Sequence, residues 1–196
     1  MLSGVILAAG DSIRMGSPKA LLLTPQGVPF VVAIADTFAA AGIENTFVVT
    51  GRDHDRIVDA LASARRAPTV VRNPDPSRGQ LSSLLAAMDA AVAADTEALV
   101  VTLVDVPLLT AETVRRVVGE WRRTRAPIVR PAIGDRHGHP VVFDKRVFDE
   151  LRRAPLDLGA KVVVRAHAAA LVNVDVTDEG CLVDVDTPRD YEALRR

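Results

Sequence analysis

The sequence predicts an α/β protein in which helices cover both faces of a mostly parallel, twisted sheet, giving three layers. Two observations carry this expectation. Runs such as Val5 to Ala9 and Ala98 to Leu103 lack the strict polar alternation of a strand with one wet face, as expected of strands buried on both sides. Between successive runs lie segments with helical spacing of their apolar residues, so strand and helix alternate along the chain.

Taken in order, Val5 to Ala9 is the first strand. Phe30 to Ala41 has the pattern of a helix closed by Gly42, because glycine accepts the left-handed conformation that ends helices. Phe47 to Thr50 is a short buried strand, followed by a helix from about Asp53 to Ala64. Thr69 to Arg72 is a third strand, and Asn73 to Gly79 a loop of Pro, Gly and Asn. Leu81 to Ala94 is an alanine-rich helix. Ala98 to Leu103 is the most apolar strand and is expected at the centre of the sheet. Thr110 caps a helix that runs to about Thr124. Right-handed crossovers then bring the ends of the first strand and of Ala98 to Leu103 to one sheet edge.

The second half is less regular. Ile128 to Arg130 and Val141 to Phe143 are short strands flanking the polar loop Gly134 to His139. Helices are expected around Lys145 to Arg153 and Lys161 to Ala166, with a strand at Ala170 to Val174. A last helix spans Pro188 to Leu194, with Thr187 as N-cap and Pro188 in the first turn. With no linker, repeat or low-complexity stretch, residues 1–196 read as a single domain.

Bulk properties narrow the function classes. Aromatic residues are 4% against 48% hydrophobic overall, so the core must be built from Ala, Val and Leu. A net charge of -1 offers no global attraction to nucleic acid or an anionic membrane. No segment reaches the roughly 18 consecutive apolar residues of a membrane helix, and the N-terminus lacks the layout of a signal peptide. Cys181, the one cysteine, rules out an internal disulfide and a cysteine-cluster metal site. A cytoplasmic protein is expected.

The chemistry concentrates in a few places. After the first strand, Leu7, Ala8, Ala9 and Gly10 lead into a loop carrying Ser12, Arg14 and, five residues later, Lys19. Small residues let backbone amides approach an anion, and the two cations neutralise what amides alone cannot. The spacing is neither a Walker loop nor a dinucleotide fingerprint: five residues separate Gly10 from Gly16, where a Walker loop has four between its glycines, and Pro18 precedes Lys19. Asp105 ends the Ala98 to Leu103 run in Leu103-Val104-Asp105-Val106-Pro107, where α/β sheets bind ligands. Facing phosphates, a carboxylate there calls for a hard cation between them, although capping of the following turn is an alternative. Asp184 and Asp186 alternate along an extended segment and so share one face, while Thr187 and Asp190 have the character of helix capping. The stretch from Asn73 to Ser83 combines two prolines, Gly79 and a helix start at Ser82 and Ser83; its amides and hydroxyls can read a base and ribose, or simply cap. Further on, His137 and His139 lack a third ligand of suitable type for zinc, and Lys161 and Arg165 stand one helical turn apart.

Leu-Ala-Ala-Gly-x-Ser-x-Arg-Met-Gly-x-x-Lys, here Leu7 to Lys19, resembles the signature of the sugar- and cofactor-nucleotidyltransferases. Within them the chain is most similar to the molybdenum-cofactor nucleotidyltransferases, in five motifs that fall in order between Leu7 and Tyr191. The resemblance implies the Rossmann-like sheet of the nucleotide-diphospho-sugar transferase type. It implies transfer of a nucleoside monophosphate from a triphosphate, with CTP as the expected donor, to molybdopterin with release of pyrophosphate. By the same likeness Lys19, Arg14 and Asp105 are catalytic, and Asp105 and Asp186 hold Mg²⁺. Leu7, Ala8, Ala9, Gly10, Ser12, Arg14, Lys19, Asn73, Gly79, Ser82 and Ser83 bind the nucleotide, and His139, Lys161 and Arg165 meet the acceptor. A molybdoenzyme that receives the product is the implied macromolecular partner. Guanylyl transfer to the same cofactor, cytidylyl transfer to a methylerythritol or sugar phosphate, and a non-catalytic nucleotide-binding module are the alternatives.

Overall fold

Strand Leu2–Ala8 (β1) is flanked by two parallel neighbours, Asn45–Thr50 (β2) and Ala98–Leu103 (β4), in a computed structural model that describes residues 1–10 and 15–194. Thr69–Arg72 (β3) extends the sheet parallel to β2. On the other side Val141–Asp144 (β7) runs antiparallel to β4, and Ile128–Ile133 (β5) antiparallel to β7. Arg136–His137 (β6) turns back along β5, and Val172–Asp175 (β8) pairs with β5 in parallel. The order is β3-β2-β1-β4-β7-β5-β6, with β8 on β5. All strands except β6 and β7 therefore share one direction, and their carboxyl ends form one rim.

Each central strand feeds two apolar layers, which is why its sequence is mostly apolar on both faces. Ile6 and Ala8 of β1 and Val100 of β4 pack with helices Phe30–Ala40 (α1), His54–Leu61 (α2) and Ala111–Thr124 (α4). Val5 and Leu7 of β1, with Leu99 and Val101 of β4, pack with Gln80–Ala93 (α3), Phe148–Arg153 (α5) and Lys161–Ala166 (α6). Burying each such side chain contributes about 1.5–3 kcal/mol. β4 lies at the centre of the order, as its composition predicts. α1 ends as expected: Gly42 takes φ +83°, Gly42 N donates to Ala39 O, and Ile43 N to Phe38 O. Among the described residues no helix is long and apolar enough to cross a membrane.

Several boundaries differ from those expected, each for a local reason. α2 stops at Leu61 rather than Ala64, because the next turn tightens into bonds such as Ser63 N to Ala60 O, with Ser63 Oγ on the same carbonyl. β5 continues through Pro131 to Ile133. Proline is tolerated there because it faces the break between β6 and β7, where its carbonyl accepts from Gly138 N. β6, two residues long, carries no readable pattern. β8 begins at Val172, since the alanines after α6 spend their amides on turns, Ala170 N to His167 O among them. The last helix, Pro188–Leu194 (α7), is capped as expected: Thr187 Oγ1 accepts from Asp190 N, and Asp190 Oδ2 accepts from Thr187 N.

The one tryptophan sets a polar requirement inside this core. Trp121 is buried, and its indole Nε1 donates to Asp144 Oδ2 at 3.0 Å. Burial pushes the Asp144 carboxyl up, but the Arg146 guanidinium and amide and the Trp121 indole more than offset this, leaving it below the usual range. Asp144→Asn should lower the unfolding free energy at pH 7 by about 1–3 kcal/mol in urea titrations. Because the folded-state pKa is depressed, the charge contributes fully above the ordinary carboxylate range and is lost as pH falls through the folded value. Wild type and variant should therefore converge in acid.

Candidate active site

The carboxyl ends of β1, β2 and β4 open into a cleft of about 370 Å³. Its shape follows from close backbone approaches. Val104 N donates to Leu7 O, tying the end of β4 to that of β1. A Cβ on Gly51, just after β2, would stand 2.6 Å from Ala9 O, so only glycine lets these two turns meet. Leu7, Ala8, Ala9, Gly10, Lys19 and Asp105 all line the cleft. Ser12 and Arg14 lie outside the described residues.

Lys19 opens a short 3-10 turn, Lys19–Leu21, straight after Pro18. Its Nζ donates to Asp105 Oδ2 at 3.2 Å and to Asp186 Oδ1 at 2.5 Å, so one ammonium bridges carboxylates 81 residues apart in sequence. Three anchors along residues 178–186 bring this about. Asp178 Oδ2 accepts from Thr110 N, Thr110 Oγ1 and Thr113 Oγ1 at the start of α4, and its Oδ1 from Gly180 N. Cys181 O accepts from His139 N, and Val185 N donates to Asp105 O at 2.8 Å. Asp186 then faces Asp105 across Lys19. Asp190 Oδ2 fixes the following turn by accepting from Asp186 N and Thr187 N.

Charge is crowded here. Burial, then the charges of Asp105 and Asp186, raise the Asp184 carboxyl above its usual range, against the pull of His139 and Lys19. Burial lowers the His139 imidazole although Val101 O and the Asp184 and Asp105 charges oppose this, so at neutral pH it is an uncharged hydrogen-bonding group. Asp105 Oδ1 is buried with no hydrogen-bond partner among the described residues. An orphaned carboxylate oxygen facing a second carboxylate suits a hard divalent cation, which takes one or two carboxylates and completes its shell with phosphate oxygens and water. Among the described residues no three His, Cys, Asp or Glu side chains are grouped closely enough to hold a metal unaided. Chemically, the arrangement can hold a polyanion together with its counter-cation.

The remaining sequence-predicted residues divide. Gly79, at φ +96°, and Ser83 line the cleft. Asn73 and Ser82 shape its wall from behind: Asn73 Nδ2 donates to Ser82 Oγ and Ser83 Oγ, Asn73 Oδ1 accepts from Asp75 N, and Ser82 Oγ donates to Gly79 O. His139, Lys161 and Arg165 meet in a second pocket that shares Leu7, Gln80 and Leu103 with the first. Arg52 and Asp53 also line the first cleft, and Arg130 and His137 the second. Sequence reasoning missed Arg52 and Asp53, although their place directly after a strand end, beside the first strand, is a usable signal.

Residues 4–171 match the model of the MobA-like NTP transferase domain. The chain is 33% identical over 193 residues to nicotine blue oxidoreductase of Paenarthrobacter nicotinovorans, covering 95% of this chain and 92% of that protein. It is 26% identical over 189 residues to molybdenum cofactor cytidylyltransferase of Escherichia coli K12, again covering 95% and 92%. The crystal structure of Rv0371c from Mycobacterium tuberculosis H37Rv superposes with TM-score 0.80 at 32% identity over 98% of this chain and 96% of that one. A second structure of Rv0371c, a complex with manganese, gives TM-score 0.76 at 28% identity over the same shares.

Asp178 meets four donors with one carboxylate, so Asp178→Ala should cost about 2–3 kcal/mol in urea unfolding. The same change should speed hydrogen exchange at the Val185 amide, because the segment carrying Asp186 loses its first anchor.

Proposed function

The chain belongs to the MobA-like NTP transferase domain family, and from that premise we propose that it transfers a cytidylyl group from CTP to molybdopterin, releasing pyrophosphate. The observation that carries this reading is Lys19 bridging Asp105 and Asp186 at the carboxyl ends of a parallel sheet. Support for CTP and molybdopterin comes from the Escherichia coli relative, which matches over nearly its whole length.

In the proposed reaction an acceptor phosphate oxygen attacks the α-phosphorus, the new P–O bond forms, and the bond to the β-phosphate bridging oxygen breaks. The attacking phosphate is already an anion at neutral pH, so no general base is needed. Transfer of this kind depends on positioning and on stabilising charge. Asp105 and Asp186 would hold a divalent cation, a reading supported by the manganese complex of Rv0371c, and Mg²⁺ is the ion proposed in the cell. That cation supplies positive charge to the phosphate oxygens. Lys19 leaves its carboxylates for the α-phosphate and stabilises the charge that grows there. Backbone amides of the turn after β1, with Ser12 and Arg14, cradle the outer phosphates. Gly79 and Ser83, on a wall held by Asn73 and Ser82, meet the base and ribose. In the adjoining pocket Lys161 and Arg165 neutralise the acceptor phosphate, and His139 orients it by a hydrogen bond. The reading sets the reaction in the cytoplasm, with a molybdoenzyme receiving the product.

A second reading, redox chemistry like that named for the Paenarthrobacter relative, is favoured by 33% identity along nearly the whole chain. Pyrophosphate assays with CTP or GTP, each with and without molybdopterin, separate the two. Release is expected with CTP only when molybdopterin is present; its absence with every combination would sink the transfer reading. Lys19→Ala and Asp105→Ala should each lower turnover by about a hundred- to a thousand-fold while circular dichroism stays that of a folded protein. Arg14→Ala should raise the KM for CTP before it lowers kcat.

A further inference from the structure

We propose that Arg130 is a specificity-determining residue that reads the end of the acceptor remote from its phosphate. The assignment deepens the acceptor reading above and rests on it. Ile128 and Arg130 alternate along β5 toward the same sheet face, the one covered by α3, α5 and α6. Ile128 is fully buried there, in an apolar row. A guanidinium in such a row has to be compensated, and Arg130 turns into the second pocket. It is half-buried, and burial lowers its pKa from the ordinary arginine value.

The pocket has a direction. At the end that adjoins the first cleft Asp184 interacts with Asp105, Asp186, Lys19 and His139, the groups of the proposed reaction. At its outer end the exposed His137 lies within the field of the Arg130 charge; partial burial and then that charge lower its pKa. Leu84, Val101 and Phe143 form apolar wall between the two ends, and Lys161 and Arg165 border it. A ligand whose phosphate lies toward Asp105 would therefore extend an apolar, flat body toward Arg130.

Arg130 is also prearranged. Asn173 stands opposite it in the β5–β8 register, and Arg130 Nε donates to Asn173 Oδ1 at 2.9 Å. This fixes the plane of the guanidinium at Nε and leaves its terminal nitrogens to donate to a carbonyl oxygen on a ligand. The chemical class read is a ring that carries a carbonyl oxygen at the end remote from the phosphate. Asn173 is a positioning residue in this scheme. A simple alkyl or polyol phosphate offers no carbonyl there and gains nothing from Arg130.

The test uses the full chain in two ways. In pyrophosphate-release kinetics with CTP and molybdopterin, Arg130→Met should raise the acceptor KM by about ten- to a hundred-fold and leave the KM for CTP within about twofold. Arg130→Lys should recover only part of the loss, because it restores charge without the fork, and Asn173→Leu should give a smaller rise in the same constant. Fluorescence titration with pterin-6-carboxylate should show the same ranking without turnover, with Arg122→Met on α4 binding as wild type does. An unchanged acceptor KM and unchanged probe affinity in Arg130→Met would overturn the assignment, as would a lowered Tm with both constants intact. Wild type that binds the probe through Arg130 yet releases no pyrophosphate would instead sink the transfer reading and support Arg130 as a ring-binding residue.

Discussion

Asp105 and Asp186 repel one another, and the structure nevertheless brings them to a single ammonium. Two carboxylates with Asp184 close by form an arrangement that folding alone does not favour, since Lys19 meets two charges with one. The stabilisation comes from elsewhere: the four donors on Asp178, the close seat of Gly138 against the Cys181 carbonyl, and the Val185 amide on Asp105 O. These contacts are made by backbone groups, by threonine hydroxyls and by the Asp178 carboxylate, not by the side chains of Asp105, Asp184 and Asp186 themselves. They make the crowding tolerable in the resting protein and leave a site short of positive charge, which the proposed divalent cation would supply.

The cleft and its neighbour then read as two halves of one groove. Leu7, Gln80 and Leu103 belong to both, so the carboxyl ends of β1 and β4 form the divide at which two bound groups would meet. On one side the proposed triphosphate meets amides, Lys19 and the Gly79 turn. On the other, an apolar slot with cations along it suits a flat acceptor bearing a phosphate. Neutral His139 at the junction keeps a hydrogen-bonding group there without adding a third full charge to balance.

Much of this was legible in the letters, for physical reasons. β3 has the expected limits because Pro68 and Asn73 bound it, β4 because its apolar run lies between the polar Asp95-Thr96-Glu97 and Asp105, and α4 begins where Thr110 can cap it. Asp105 is legible as a carboxylate at the end of a buried strand and Lys19 and Asp186 through the resemblance of their motifs, and the structure brings those three together. What stayed hidden depends on pairing across the chain. Asp178 looks like a loop residue until α4 is placed beside it. Arg130 looks like the polar end of a short strand, and only the β5–β8 register with Asn173 shows a held guanidinium. Asn73 and Ser82 have the residue types of base readers, yet their mutual bonds, visible only in three dimensions, engage them in shaping the wall.

The central claim is that carboxylates 81 residues apart in the chain act as one cation site when nucleotide is present. Electron paramagnetic resonance of Mn²⁺ titrated into protein saturated with CTP measures this directly, through loss of the free-ion signal. Asp105→Asn and Asp186→Asn should each weaken uptake by about tenfold or more, and combining them should weaken it little further than the worse single change. Uptake equal to wild type in either single variant would contradict the account.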